Sequence, residues 1–126
     1  METKRFLKLS DVEGYKIAFH LSNYVWEIIT HWDQFARVTI GAQFVRSVDS
    51  ISANLAEGFG RYGKKDKIRF YRIALSSVIE SLDWNQKTKV RKLMKQEQYN
   101  YIFSELMKLP KSINTQIKVT NDKLTN

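Results

Sequence analysis

Six cations stand within twelve residues: Arg61, Lys64, Lys65, Lys67, Arg69 and Arg72, with Asp66 the one acid among them, a local charge of +5. Ammonium and guanidinium groups at that density are suited to phosphate, because neutralising phosphates releases the counterions condensed on a nucleic acid. Tyr62, Tyr71 and Tyr99 add rings on which bases can stack. A second run, Lys87, Lys89, Arg91, Lys92 and Lys95, contains no acid, but it falls where a helix should end. Cations there also offset the C-terminal helix dipole, so this run reads as a solvated helix end. The same bland reading competes for the first cluster.

Other chemistry is poorly supplied. His20 and His31 lie eleven apart, without the His-Glu-x-x-His or Glu-x-x-His spacing that holds metals on helices. There is no cysteine, which removes thiolate catalysis, disulfides and cysteine-based metal sites and fits a reducing cytoplasm. Gly58-Phe59-Gly60 resembles a scrap of a phosphate loop, yet lacks the preceding strand and the Lys-Ser/Thr that such loops need. No Gly-x-Ser-x-Gly elbow positions a serine. The expectation is a protein that is not an enzyme, with no catalytic residue, metal or cofactor.

A different pattern runs from Gln43 to Glu57. Phe44, Val48, Ile51 and Leu55 recur at steps of four, three and four, the apolar seam of a packed helix. Gln43, Ser47, Ser50, Asn54 and Glu57 lie one residue behind, about 100° around the helix. Short polar groups beside a core seam need partners. Ser77 and Glu80 of the next helix, with Arg46 or Arg61, would complete a structural polar network of Gln43, Arg46, Ser50, Asn54, Glu57, Ser77 and Glu80. The alternative is a groove that binds a ligand.

These residues must be carried by helices. Glycine and proline are scarce (five and one), and the 126 residues suffice for a single core. Ser10-Asp11-Val12-Glu13 reads as a capping box for a first helix over 11–31, with Ile17, Leu21, Tyr24 or Val25, and Ile28 facing inward. His31 to Phe35 reads as a connector. A second helix spans 38–58, closed by Gly58 and Gly60 in the left-handed conformation. Asp66 caps a third over 66–92, whose faces carry Phe70, Ile73, Ala74, Ser77, Ser81 and Trp84, and beside them Tyr71, Leu75, Val78 and Leu82. The fourth covers 96–119 with Tyr99, Ile102, Phe103, Leu106 and Leu109 buried, and kinks at Pro110. Short loops give an all-α, left-handed, up-down-up-down four-helix bundle, one domain over 1–126 with flexible ends at 1–9 and 120–126. The first residues lack a signal-peptide core, and no run is apolar enough for a membrane span. Net charge is +8 and the pI near 9.7. Such a field favours polyanions. The aromatic content, with Trp26, Trp32, Trp84 and Phe35, exceeds what one small bundle readily buries, and so points to self-association.

Gln43-x-x-Arg46, Ser50-Ile51-x-x-Asn54-x-x-Glu57-Gly58-x-Gly60-Arg61, Arg69-Phe70 and Ile73-Ala74-x-x-Ser77-x-x-Glu80 together resemble the bacterial four-helix-bundle proteins encoded in intervening sequences of 23S rRNA genes, often labelled S23. The accessory variability determinant of diversity-generating retroelements is a related branch. Two positions depart from the pattern: Ser76 stands where the family usually has glycine, and Lys67 where it usually has an aromatic. The resemblance implies a four-helix protomer, a ring-shaped homopentamer, a basic surface suited to RNA or DNA, and no enzymatic activity. The expected function is a non-enzymatic, cytoplasmic, oligomeric protein that binds RNA or DNA through Arg61, Lys64, Lys65, Lys67, Arg69 and Arg72. The alternative is a scaffold for a protein partner such as a retroelement reverse transcriptase.

Overall fold

The computed structural model describes residues 8–124, and among them every regular element is helical. Four long helices dominate: α1 (Glu13–Ile29), α2 (Ala42–Gly60), α3 (Lys64–Val90) and α4 (Gln96–Lys123). Each packs against its neighbours in sequence, and α4 closes back on α1, while the diagonal pairs hardly touch. That is the up-down-up-down bundle. Its centre is built from Ala18, Leu21 and Val25 of α1, the Phe44, Val48, Ile51 and Leu55 seam of α2, Tyr71, Ala74 and Val78 of α3, and Ile102, Leu106, Leu109 and Ile113 of α4.

Several boundaries differ from those expected of the sequence, each for a local reason. Ser10 does not cap α1. Leu9–Asp11 forms a 3-10 turn, in which the Lys8 amide donates to Asp11 Oδ2 at 2.9 Å, and α1 starts after Val12 with no side-chain cap. Asp66 does not cap α3 either, because the helix begins two residues earlier, behind Gly63. The connector after α1 is shorter than expected: Asp33 Oδ1 accepts from the Ala36 amide at 3.1 Å and starts a helical turn at Gln34–Ala36. A π-helical turn, Arg37–Gly41, then runs directly into α2. Ala36, Ile40 and Phe44 are all buried and stand four residues apart. Two such steps use eight residues where two α-helical turns use about 7.2, and the wider π turn absorbs the excess.

At the other end, α4 continues without interruption through Pro110, so there is no break; the proline only withholds the amide that the Leu106 carbonyl would otherwise receive. The helix also passes the expected fraying point. Thr120 is buried and its hydroxyl donates to the Gln116 carbonyl at 2.8 Å. Of the ends expected to be flexible, residues 1–7 and 125–126 lie outside the described residues. Phe103 and Ile73, expected inside, are substantially exposed, whereas Asn85 and Thr88 of α3 are fully buried.

The α2–α3 seam holds the inner part of the polar stripe. Ser47 and Ser81 share a hydrogen bond at 2.9 Å, and Ser50 and Ser77 share another at 2.9 Å. Asn54 Nδ2 donates to the Ser50 carbonyl at 2.8 Å and to the Ser50 hydroxyl at 2.9 Å. The outer members do not join. Gln43, Arg46, Glu57 and Glu80 are exposed. Glu57 instead pairs with Arg61 at 2.9 Å, and Glu80 accepts from the Trp84 indole at 3.1 Å. Their longer side chains reach past the seam to water, and the hydroxyls and the amide that remain satisfy one another.

The two helices also approach closely near the end of α2. Neither Gly58 nor Gly60 adopts the left-handed conformation; both are helical, and α2 ends with Arg61 in an extended backbone. A Cβ on Gly58 would lie 2.6 Å from Tyr71 Cε1 and 3.0 Å from the Lys67 carbonyl oxygen, whereas one on Gly60 would meet nothing within 4 Å. Gly58 therefore permits helix contact, and Gly60 only raises the entropy lost on folding. Gly58→Ala should lower stability by about 1–3 kcal/mol through overpacking against the buried Tyr71. Gly60→Ala should raise it by about 0.4–1 kcal/mol. Thermal or urea unfolding of the two variants beside the parent checks both signs.

Candidate nucleic-acid interface

The first cationic cluster begins in the loop between α2 and α3 and continues along the first turns of α3. The bundle divides it into two groups. Lys67 is turned under the end of α2, where its Nζ donates to the carbonyls of Phe59 at 2.7 Å and Gly58 at 3.3 Å. The Gly58 carbonyl also accepts from the Arg61 amide at 3.2 Å, whereas the Phe59 carbonyl lies past the last helical turn that could supply an amide. Burial lowers the pKa of the Lys67 ammonium, and the Phe59 ring lies 5.7 Å from it. Lys67 thus closes the end of a helix, and it does not line the groove formed by the other cations. An aromatic side chain at this position could not supply these hydrogen bonds.

Arg61 is similarly occupied. Its guanidinium pairs with Glu57 at 2.9 Å and approaches Asp66 at 3.9 Å. It also lies over the Phe70 ring, 4.8 Å from the centroid, while Arg69 lies 4.5 Å from the same centroid. Arg69 reaches Asp66 at 3.5 Å. These exposed ion pairs contribute little to stability, about 0–1 kcal/mol each. Their consequence is positional: Phe70 and Asp66 hold the two guanidinium groups in place.

The other group forms a shallow groove. Lys64, Lys65, Arg69 and Arg72 line it together with Ile68, Ile73, Ser76 and Asn121, and no carboxylate is among the lining residues. Lys64 Nζ donates to the Asn121 carbonyl at 3.4 Å, which ties the start of α3 to the last turns of α4. Of the six cations singled out in the sequence, four share this groove, and Arg61 and Lys67 do not line it. Asn121 stands 57 positions beyond Lys64, and only the antiparallel return of α4 brings it there.

The expected stacking rings separate. Tyr71 is 1% exposed, packed in the core against the end of α2, so it is unavailable to a base. Tyr99 sits near the opposite end of the bundle, where its hydroxyl donates to Gln86 Oε1 at 2.9 Å and Lys89 lies over the ring at 4.7 Å. Tyr62 is fully exposed. In the second cationic run, Lys87 pairs with Asp83 and lies over Trp84, and Lys92 adopts a left-handed turn conformation after α3. Among the described residues no group of histidines and carboxylates is placed to hold a metal ion, and no helix is long and apolar enough to cross a membrane.

This division is measurable. Lys67→Ala removes the donors that close α2 and should lower the unfolding midpoint, at a cost of about 1 kcal/mol. Lys65→Ala and Arg72→Ala, whose ammonium and guanidinium stand in water, should stay within about 0.5 kcal/mol of the parent. Chemical denaturation of the three variants distinguishes structural cations from free ones.

The family model for the 23S rRNA-intervening sequence protein matches residues 10–115. No curated protein matches the sequence. Among solved structures, the chain is similar to a protein of unknown function from the S23 ribosomal protein family of Bacteroides thetaiotaomicron. The two share 21% sequence identity and superpose with a TM-score of 0.74, covering 83% of this chain and 95% of the other. At that identity the likeness speaks for the fold alone. The family match includes α1, α2, α3 and most of α4, with the serine seam and every residue of the basic groove except Asn121, and the chain belongs to the 23S rRNA-intervening sequence protein family.

Proposed function

We propose that this protein is a non-enzymatic, oligomeric, cytoplasmic module that binds RNA or DNA through phosphate contacts in the groove at the start of α3. The observation that carries this reading is the convergence of Lys64, Lys65, Arg69 and Arg72 on one groove without a carboxylate. A net charge of +8 adds long-range attraction for polyanions. Arg61 serves the site indirectly, by sharing Phe70 and Asp66 with Arg69.

Exposed apolar side chains support the oligomeric part of this reading. Trp26, Phe35, Ile79 and Val90 are each more than half exposed, which is costly apolar surface for a monomer. The proposed assembly is a homopentameric ring. Five protomers would carry about +40 and present five grooves, so that weak contacts in each add up along one polymer. The second reading is a scaffold for a protein partner, such as a reverse transcriptase of a diversity-generating retroelement, and it rests on those same apolar side chains, which a phosphate backbone does not require.

Binding of labelled RNA and DNA across a salt series tests the leading reading. Four phosphate contacts per groove give a slope of log K against log salt near about −3 for single strands and about −3.6 for duplex DNA. Lys64→Glu/Lys65→Glu/Arg72→Glu should lose affinity across all sequences and flatten the slope while keeping its fold. Absence of binding to either nucleic acid at low salt would sink the proposal. Independently, light scattering at micromolar concentration should return about five times the 14.9 kDa protomer mass. A mass of one protomer would refute the ring.

A further inference from the structure

We infer that the groove takes unpaired nucleotides, with a base stacked on Tyr62 and the neighbouring phosphates on Lys64, Lys65, Arg69 and Arg72. The inference rests on the proposed nucleic-acid binding and names the class of strand. Tyr62 is 100% exposed, and neither its ring nor its hydroxyl has a partner among the described residues. It stands two residues before Lys64, so the Cα atoms of the two residues lie within about 7 Å of each other. Of the three tyrosines near the cationic clusters, it is the one whose ring is neither buried nor covered by a lysine.

The dimensions favour an unpaired strand. From Lys64 to Arg72 the groove extends about 12 Å along α3, enough for only a few phosphates. A duplex offers such a groove phosphates and nothing more, because its bases are covered by pairing and by their own stack. An unpaired strand offers a phosphate and a free base face from the same nucleotide, and Tyr62, outside the groove lining but two residues before its first lysine, is the exposed ring in reach of that face. Stacking of this kind tolerates any base, since each has a π face. Arg69 strengthens the arrangement: Phe70 and Asp66 fix its guanidinium, so the phosphate side of the site is ordered before a strand arrives.

The test compares a single-stranded RNA, a single-stranded DNA and the duplex of the same sequence, each fluorescently labelled, at one ionic strength. The proteins are the full-length parent, Tyr62→Ala and Tyr62→Phe. The expected result is tighter binding of both single strands than of the duplex. Tyr62→Ala should weaken single strands by at least about fivefold and leave the duplex unchanged, and Tyr62→Phe should retain affinity within about twofold. Equal binding of single strands and duplex, with Tyr62→Ala matching the parent, overturns this inference and leaves phosphate binding in place. If no probe binds the parent, phosphate binding and this inference fall together. A Tyr62→Ala protein whose mass in light scattering drops below the parent's places the ring in a contact between copies and also overturns the inference.

Discussion

The close approach of α2 and α3 is the contact on which the rest of the molecule depends. It requires small groups in register: Ser47 against Ser81, Ser50 against Ser77, and Gly58 against the edge of Tyr71. Larger side chains at these points would push the helix axes apart, and hydroxyls without partners would leave unsatisfied polar groups in the seam. Here each hydroxyl finds another. The apolar seam of α2 consequently enters the centre of the bundle, and the end of α2 comes within reach of Lys67.

That proximity also organises charge. A run of six cations beside one acid would repel itself if every member stood free. The fold lowers this repulsion by giving Lys67 the terminal carbonyls of α2 and Arg61 the carboxylate of Glu57. The four cations that remain are the ones drawn along α3 toward the end of α4. Their spacing is helical, and Phe70 and Asp66 restrain the guanidinium of Arg69. Arg61 and Arg69 are linked through this pair, since both guanidinium groups lie over the Phe70 ring and approach Asp66.

The π-helical turn before α2 acts on packing. By absorbing the extra residues between Ala36 and Phe44, it keeps Ile40 on the buried side. Phe35, in the turn before it, and Val38, within it, are 78% and 60% exposed. Apolar side chains thus accumulate on the surface here, and Phe35 is one of the aromatics whose number in the sequence exceeds what a small bundle readily buries.

The four helices and most of the centre were legible in the sequence, because apolar periodicity reports directly which face of a helix is buried. Phe44, Val48, Ile51 and Leu55 needed no three-dimensional knowledge to be placed inside. The serine and asparagine members of the polar stripe were legible for a related reason: short polar groups beside a core seam must find partners across the nearest helix contact. Which polar residues would pair was not legible. Glu57 and Glu80 share the spacing of the stripe, but side-chain length carries their carboxylates to the surface, and spacing alone does not record reach. Helix starts were misjudged at Ser10 and Asp66, since capping depends on backbone geometry at the first turn, and the caps fall two residues after Ser10 and three before Asp66. The basic cluster was visible as composition, yet its sorting into Lys67 and Arg61 on one side and Lys64, Lys65, Arg69 and Arg72 on the other was decided by tertiary structure. Hydrogen bonds and ion pairs act over a few ångströms, and only the packed bundle sets which carbonyls, carboxylates and rings come that close.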